Sequence, residues 1–171
     1  MVSTLTQEQY WKELYQLKVH TTFIELKLEQ AEWWDRAVKI VLAIASSSSI
    51  GAWVIWKEYS WIWAGVIAFS QVIGAIHPFL PYKSRIKAYS SLINELEELM
   101  IQSELKWHEI SQGQLTPTEI NKARFEIRSL KNKSLKKHIQ TTIPTDGTVH
   151  SKAENLANQY FSTFYSEGNN Q

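Results

Sequence analysis

The chain has 171 residues, a formal net charge of +1 and no cysteine, which excludes disulfides and thiolate metal sites. Its mean hydropathy of −0.28 is that of an ordinary soluble protein, but nearly all the charge lies outside residues 37–82. The length suits about one domain, and residues 1–30 lack the apolar core and positive n-region of a signal peptide.

Residues 7–34 read as an amphipathic helix. Thr4 or Thr6 can cap it, and Tyr10, Leu14 and Leu17 recur at helical spacing. The β-branched run 19–23 weakens the pattern in the middle. Trp33 and Trp34 stand where the chain should meet headgroups, and Lys39 can snorkel to the interface.

Residues 37–82 organise the chain. Residues 40–56 contain no ionisable group, and residues 60–82 contain only His77 and, at the very end, Tyr82. A helix needs about 20 mostly apolar residues to cross a bilayer core of roughly 30 Å. The pattern predicts a transmembrane helical hairpin, with most of the eight tryptophans flanking its apolar stretches. The first arm carries Ser46, Ser47, Ser48 and Ser49, then Gly51. These are either helix-packing residues or a hydroxyl-lined pore wall. The second arm carries Ser70 and Gln71. A Gln at this depth must face a protein partner or water, so it lines a conduit or joins helices, and either argues for self-association. Pro78 and Pro81 should end or kink the arm, and His77 beside them reads as an interfacial residue. Arg36 and Lys39 flank the entrance, and Lys83, Arg85 and Lys87 flank the exit. The positive-inside rule therefore puts both termini in the cytosol.

Residues 84–110 predict a helix whose stripe is Ile86, Tyr89, Leu92, Ile93, Leu96 and Met100, with Glu95, Glu97 and Glu98 mainly off it. Ser111, Gln112 and Gly113 stop it. Thr116, Pro117 and Glu119 then write a capping box with proline at the first helical position. Ile120, Ala123, Ile127, Leu130 and Leu135 should face inward on this next helix. Its remainder is basic: Lys122, Arg124, Arg128, Lys131, Lys133, Lys136 and Lys137, then His138, with Glu126 as the one carboxylate between Ile120 and His138. Such a cation cluster attracts anionic lipid headgroups or a nucleotide or oligonucleotide. After a turn-rich loop over 141–148, a last helix over about 149–166 carries Ala153, Leu156, Ala157, Tyr160, Phe161 and Phe164. It should pack on the helix from Ser84 or on a neighbouring subunit.

No Gly-rich phosphate loop, metal-ligand pair at helical spacing or nucleophile motif is present. The five histidines are scattered (His20, His77, His108, His138, His150), and the Arg-then-His spacing of some helical ribonucleases is missing. No catalytic residue, metal or cofactor is expected.

The layout resembles the SLATT family of two-transmembrane effectors from bacterial anti-phage systems. The likeness rests on the leading helix, the hairpin with its very short turn, and the helix that opens Tyr82-Lys83-Ser84-Arg85 and carries Tyr89, Leu92 and Leu96. It extends to the Gly113-Gln114-Leu115-Thr116-Pro117-Thr118-Glu119-Ile120 turn and the Tyr160-Phe161 ending. The resemblance implies a membrane pore or ion channel that depolarises the cell, encoded beside an enzyme that makes a nucleotide second messenger or oligonucleotide.

Together these readings give an all-α membrane protein with three segments. Residues 1–36 are an N-terminal cytosolic helix, 37–82 the transmembrane hairpin and 83–171 a cytosolic helical module. The expected function is a homo-oligomeric pore, tetrameric or larger, in the bacterial inner membrane. A nucleotide or single-stranded oligonucleotide on the basic helix would gate it, supplied through a neighbouring nucleotidyltransferase. The alternative is a non-conducting membrane anchor that recruits a cytosolic partner and holds anionic lipid.

Overall fold

A computed structural model describes residues 2–48, 60–76, 82–139, 143–144 and 146–165. Among them are five α-helices: α1 (Val2–Ser48), α2 (Ser60–Ile76), α3 (Tyr82–Ser111), α4 (Pro117–His138) and α5 (Gly147–Tyr165). The chain is all-α, and it divides into two compact units, Met1–Leu28 with Lys87–Gln171, and Glu29–Ile86. The N-terminal and C-terminal helical segments therefore share one unit.

The largest departure from the expected elements is α1. It begins before Thr4 and Thr6, so neither caps it, and it runs on without interruption to Ser48. No proline or glycine occurs before Gly51 to stop it. The β-branched run costs only tenths of a kcal/mol per residue, roughly. Within it the Thr21 hydroxyl donates to the Leu17 carbonyl at 3.0 Å, so a buried polar group is satisfied inside the helix.

In the bundle unit, one core joins four helical segments. Tyr10, Leu14, Leu17 and Ile24 come from α1, and Tyr89, Leu92, Ile93, Leu96, Leu99, Met100 and Ile110 from α3. Ile120 and Ile127 come from α4 and Phe161 from α5. The stripe expected on α3 from Tyr89 onward is thus inside. Two other stripes are narrower than expected. Leu130 of α4 and Leu156 and Phe164 of α5 are exposed, because the buried face of α5 is made by Val149, Ala153, Ala157 and Phe161. That face packs on α1, where Val19 meets Ala153 and Ala157 and the Trp11 ring meets Phe161 edge-on. Tyr160 ties the same helix to α3 by donating to Glu104 at 2.7 Å.

The turns follow their chemistry. α3 ends where Gly113 takes a φ of +71°, the left-handed region that glycine enters without steric cost. The capping box at α4 forms: Glu119 N–H donates to the Thr116 hydroxyl, and the Thr116 N–H donates to the Glu119 carboxylate at 2.8 Å. Asp146 opens α5 by accepting from the N–H groups of Thr148 and Val149 at 3.1 and 3.3 Å, and it pairs with Lys27 of α1 at 3.0 Å.

The Glu29–Ile86 unit is built differently. Leu42 of α1 lies 4.0 Å from where a Cβ would stand on Gly74 of α2. Among the described residues of this unit, most large apolar side chains face outward: Trp33, Trp34, Ile40, Val41, Ile44, Trp61, Ile62, Phe69, Val72 and Ile76 are exposed. Among the described residues no helix is long and apolar enough to cross a membrane. α2 has 17 residues and spans about 26 Å at roughly 1.5 Å per residue, just short of a hydrocarbon core. The expected first arm continues past Ser48, and its remainder lies outside the described residues, as do the hairpin turn, His77, Pro78 and Pro81.

Candidate functional site

The basic helix is the part of the chain that singles itself out chemically, and the structure changes its meaning. Read alone, α4 has cations without matching anions. Folded, it lies against carboxylates from two other helices. Glu13 of α1 is buried, and it accepts from the Arg128 Nε–H at 3.1 Å while the Lys131 Nζ stands 3.4 Å away. Arg124 donates to the Gln9 side chain. Glu95 of α3 accepts from Lys137, and the His138 Nε2 lies 2.8 Å from the same oxygen.

The acid groups feel these partners. Burial pushes Glu13 up, but the hydrogen bond from Arg128 and the charges of Lys131 and Arg128 more than offset it. Its carboxyl titrates below the usual range. Hydrogen bonds from Lys137, His138 and Ser134 hold Glu95 down to about 2. These are charge-assisted contacts between α4 and its neighbours; the Glu13 carboxylate is buried, whereas the Lys137–Glu95 pair is open to solvent and screened by it.

The expected ligand cluster therefore separates into two sets. Arg124, Arg128, Lys131 and Lys137 are engaged by Gln9, Glu13 and Glu95. Lys122, Lys133 and Lys136 are exposed and form no ion pair among the described residues. These three fall on the outer face of α4 with the exposed Phe125, whose ring also lies 4.8 Å from the Arg124 guanidinium.

Glu13 is the residue that charge counting along α4 overlooks. Its signal was available, because position 13 falls on the same stripe as Tyr10, Leu14 and Leu17. A carboxylate on an apolar stripe needs a cation from a neighbouring element. Glu95 could be found only from the fold. Of the acidic run on α3, Glu97 and Glu98 are exposed while Glu95 turns toward the end of α4.

A cavity of about 240 Å³ opens beside this region, lined by Gln16, Val19, His20, Phe23, Ile143 and His150. The His20 Nε2 is buried without a hydrogen-bond partner. Burial first, then the charges of Lys131 and His150, pull the His20 pKa below its ordinary value and keep the imidazole neutral. Among the described residues no group of three or more His, Asp or Glu side chains is placed to hold a metal ion.

The polar residues expected in the pore arms behave unevenly. Ser70 spends its hydroxyl on its own helix, donating to the Ile67 carbonyl at 2.8 Å, and Gln71 beside it is exposed. Ser46, Ser47 and Ser48 are helical within α1, and Ser49 lies outside the described residues. Lys39 is bonded to Asp35 one turn earlier on α1.

No family model, curated protein or solved structure matches the chain. What the site does then rests on its own charges and surfaces.

Proposed function

We propose that the chain is a self-assembling membrane effector of the SLATT type. Residues 37–82 enter the bacterial inner membrane as a hairpin, and several copies form a pore whose opening depolarises the cell. The observation that supports this reading is the outward-facing apolar surface of the Glu29–Ile86 unit. Ile40, Ile44, Phe69, Val72 and Ile76 are about half exposed or more, with Trp33, Trp34 and Trp61 among them. A monomer in water rarely exposes so many large apolar side chains on one unit, and lipid tails together with neighbouring copies would cover them. Gln71, polar and exposed, would then face another copy or a conduit.

Gating falls to the helical unit on the cytosolic side. The exposed lysines Lys122, Lys133 and Lys136 are the cations left to meet an anionic signal such as a nucleotide or single-stranded oligonucleotide, the product of a neighbouring nucleotidyltransferase. The internal pairing of Arg124, Arg128, Lys131 and Lys137 favours a second reading. In that reading the unit is a non-conducting anchor that recruits a partner protein and holds anionic lipid.

Membrane potential in cells expressing the chain separates the two. The pore reading predicts depolarisation by the parent, and an altered response when Lys122, Lys133 and Lys136 are all replaced by Gln. It fails if cells stay polarised and purified protein in liposomes never conducts, with or without added oligonucleotide. An inert chain that still fractionates with membranes is the anchor.

A further inference from the structure

Two exposed stripes of the bundle unit remain without a partner, and their chemistry is complementary. On α3, the face opposite the core carries Glu97, Glu98, Ile101 and Leu105, all exposed, with Ile101 and Leu105 each 67% accessible. Neither Glu97 nor Glu98 has an ion pair among the described residues; Glu98 only accepts a long bond from Gln102 at 3.4 Å. On α4, the face opposite its buried Ile120 and Ile127 carries Lys122, Phe125, Ser129, Lys133 and Lys136, with the single carboxylate Glu126 at its edge and Phe125 55% accessible. One stripe is acidic and apolar, the other net basic with the apolar Phe125.

We propose that the bundle units of successive copies associate head to tail, with the α3 stripe of one copy lying antiparallel on the α4 stripe of the next. The register supports it. On α3, Glu97 precedes Leu105 by eight residues, about 12 Å along a helix; on α4, Lys133 follows Phe125 by the same interval. Antiparallel alignment sets Leu105 opposite Phe125, Ile101 opposite Ser129 and Glu97 opposite Lys133, with Glu98 one residue along from Lys133 on its Ser129 side. The apolar ends then meet each other and so do the charges.

A symmetric pairing of like with like is disfavoured. Two α3 stripes paired antiparallel about Ile101 would set Glu97 against Leu105 and give neither glutamate a cation, and two α4 stripes paired about Ser129 would set Lys122 against Lys136. The contact therefore uses a different patch on each copy. Every added copy leaves one stripe open, and the series closes only as a ring or continues as a filament. This inference rests on the self-assembly proposed above but not on conduction; it gives Lys133 and its neighbours on α4 to the next copy in place of an anionic signal, so it stands or falls separately from the pore.

The absence of cysteine makes the test direct. Full-length chain carrying both Leu105→Cys and Phe125→Cys is expressed in membranes and oxidised with copper phenanthroline. The expected result is a ladder of cross-linked dimers and higher species. Differently tagged single variants expressed together should give a dimer containing both tags. Adding Glu97→Lys should reduce the ladder about tenfold through like-charge repulsion, and Lys133→Glu in the same chain should restore it. Circular dichroism of each variant checks that the helices remain. Three results overturn the proposal: no ladder in a folded double variant; single variants that cross-link to themselves more than to each other; or a ladder indifferent to Glu97→Lys. If no ladder forms but an added oligonucleotide or anionic vesicle shields the Phe125→Cys thiol from maleimide, the α4 stripe serves an anion instead.

Discussion

Leu96 and Phe69 belong to helices of one chain and meet opposite surroundings. Leu96 of α3 is fully buried in a core drawn from four helical segments, whereas Phe69 of α2 is 64% exposed. The bundle unit spends its charges on internal pairs such as Glu13 with Arg128 and Lys131, and Lys27 with Asp146. The Glu29–Ile86 unit has far fewer charges to spend and turns its apolar side chains out. The first is organised for water, where burying apolar area drives folding. On the membrane reading proposed above, the second meets a solvent as apolar as itself, where that drive vanishes and packing of small residues takes over.

The sharpest way to test the contrast is to make the same kind of cut in both units. Leu96→Ala should destabilise the bundle by about 2–5 kcal/mol, seen as a lower unfolding midpoint by circular dichroism in detergent. Val72→Ala removes an exposed side chain and should shift the same midpoint by less than about 0.5 kcal/mol. Equal losses would mean that the second unit has a core of its own.

A smaller effect is expected at Glu13. Glu13→Ala removes a buried acceptor of charged partners and should cost roughly 1–3 kcal/mol, loosening α4 from α1. Hydrogen exchange would report it as faster exchange along α4 with little change in α2. The pair also dictates an acid response. Glu13 and Glu95 titrate lower in the folded chain than the ordinary carboxylate value of 4.5. Their contribution is complete above that pH and drains away as pH falls toward the folded values, about 2 for Glu95.

The smallest effect is at His20. Its folded pKa lies below the ordinary 6.5, so the unfolded chain takes up a proton that the folded chain refuses. Stability should therefore be full above pH 6.5 and decline as pH falls below it, until the buried imidazole protonates. His20→Gln should flatten that decline. Denaturant midpoints of parent and variant between pH 7 and pH 5 measure the difference, and parallel curves would remove His20 as the cause.

Much of the bundle could be read from periodicity and capping. The α3 stripe, the Thr116–Glu119 box and the stop at Gly113 are local signals, and each resolves as its residues suggest. The continuity of α1 was not legible, because the change from amphipathic to apolar at residues 34–37 looks like a boundary while containing no residue that breaks a helix. The fate of the basic cluster was hidden for a different reason. Its counter-charges are more than a hundred residues away at Glu13 and about forty away at Glu95, so no window along α4 contains them. Charge density alone marked seven cations for a ligand, and tertiary pairing leaves Lys122, Lys133 and Lys136 facing out.

The account rests on lipid covering the apolar face of residues 37–82, and thiol accessibility tests that most directly. Phe69→Cys and Phe164→Cys each introduce a lone cysteine at a site of similar exposure, 64% in one unit and 68% in the other. In native membranes a water-soluble maleimide should label the Phe164→Cys chain and leave the Phe69→Cys chain unmodified until detergent is added. Equal labelling of both in intact membranes would contradict the account.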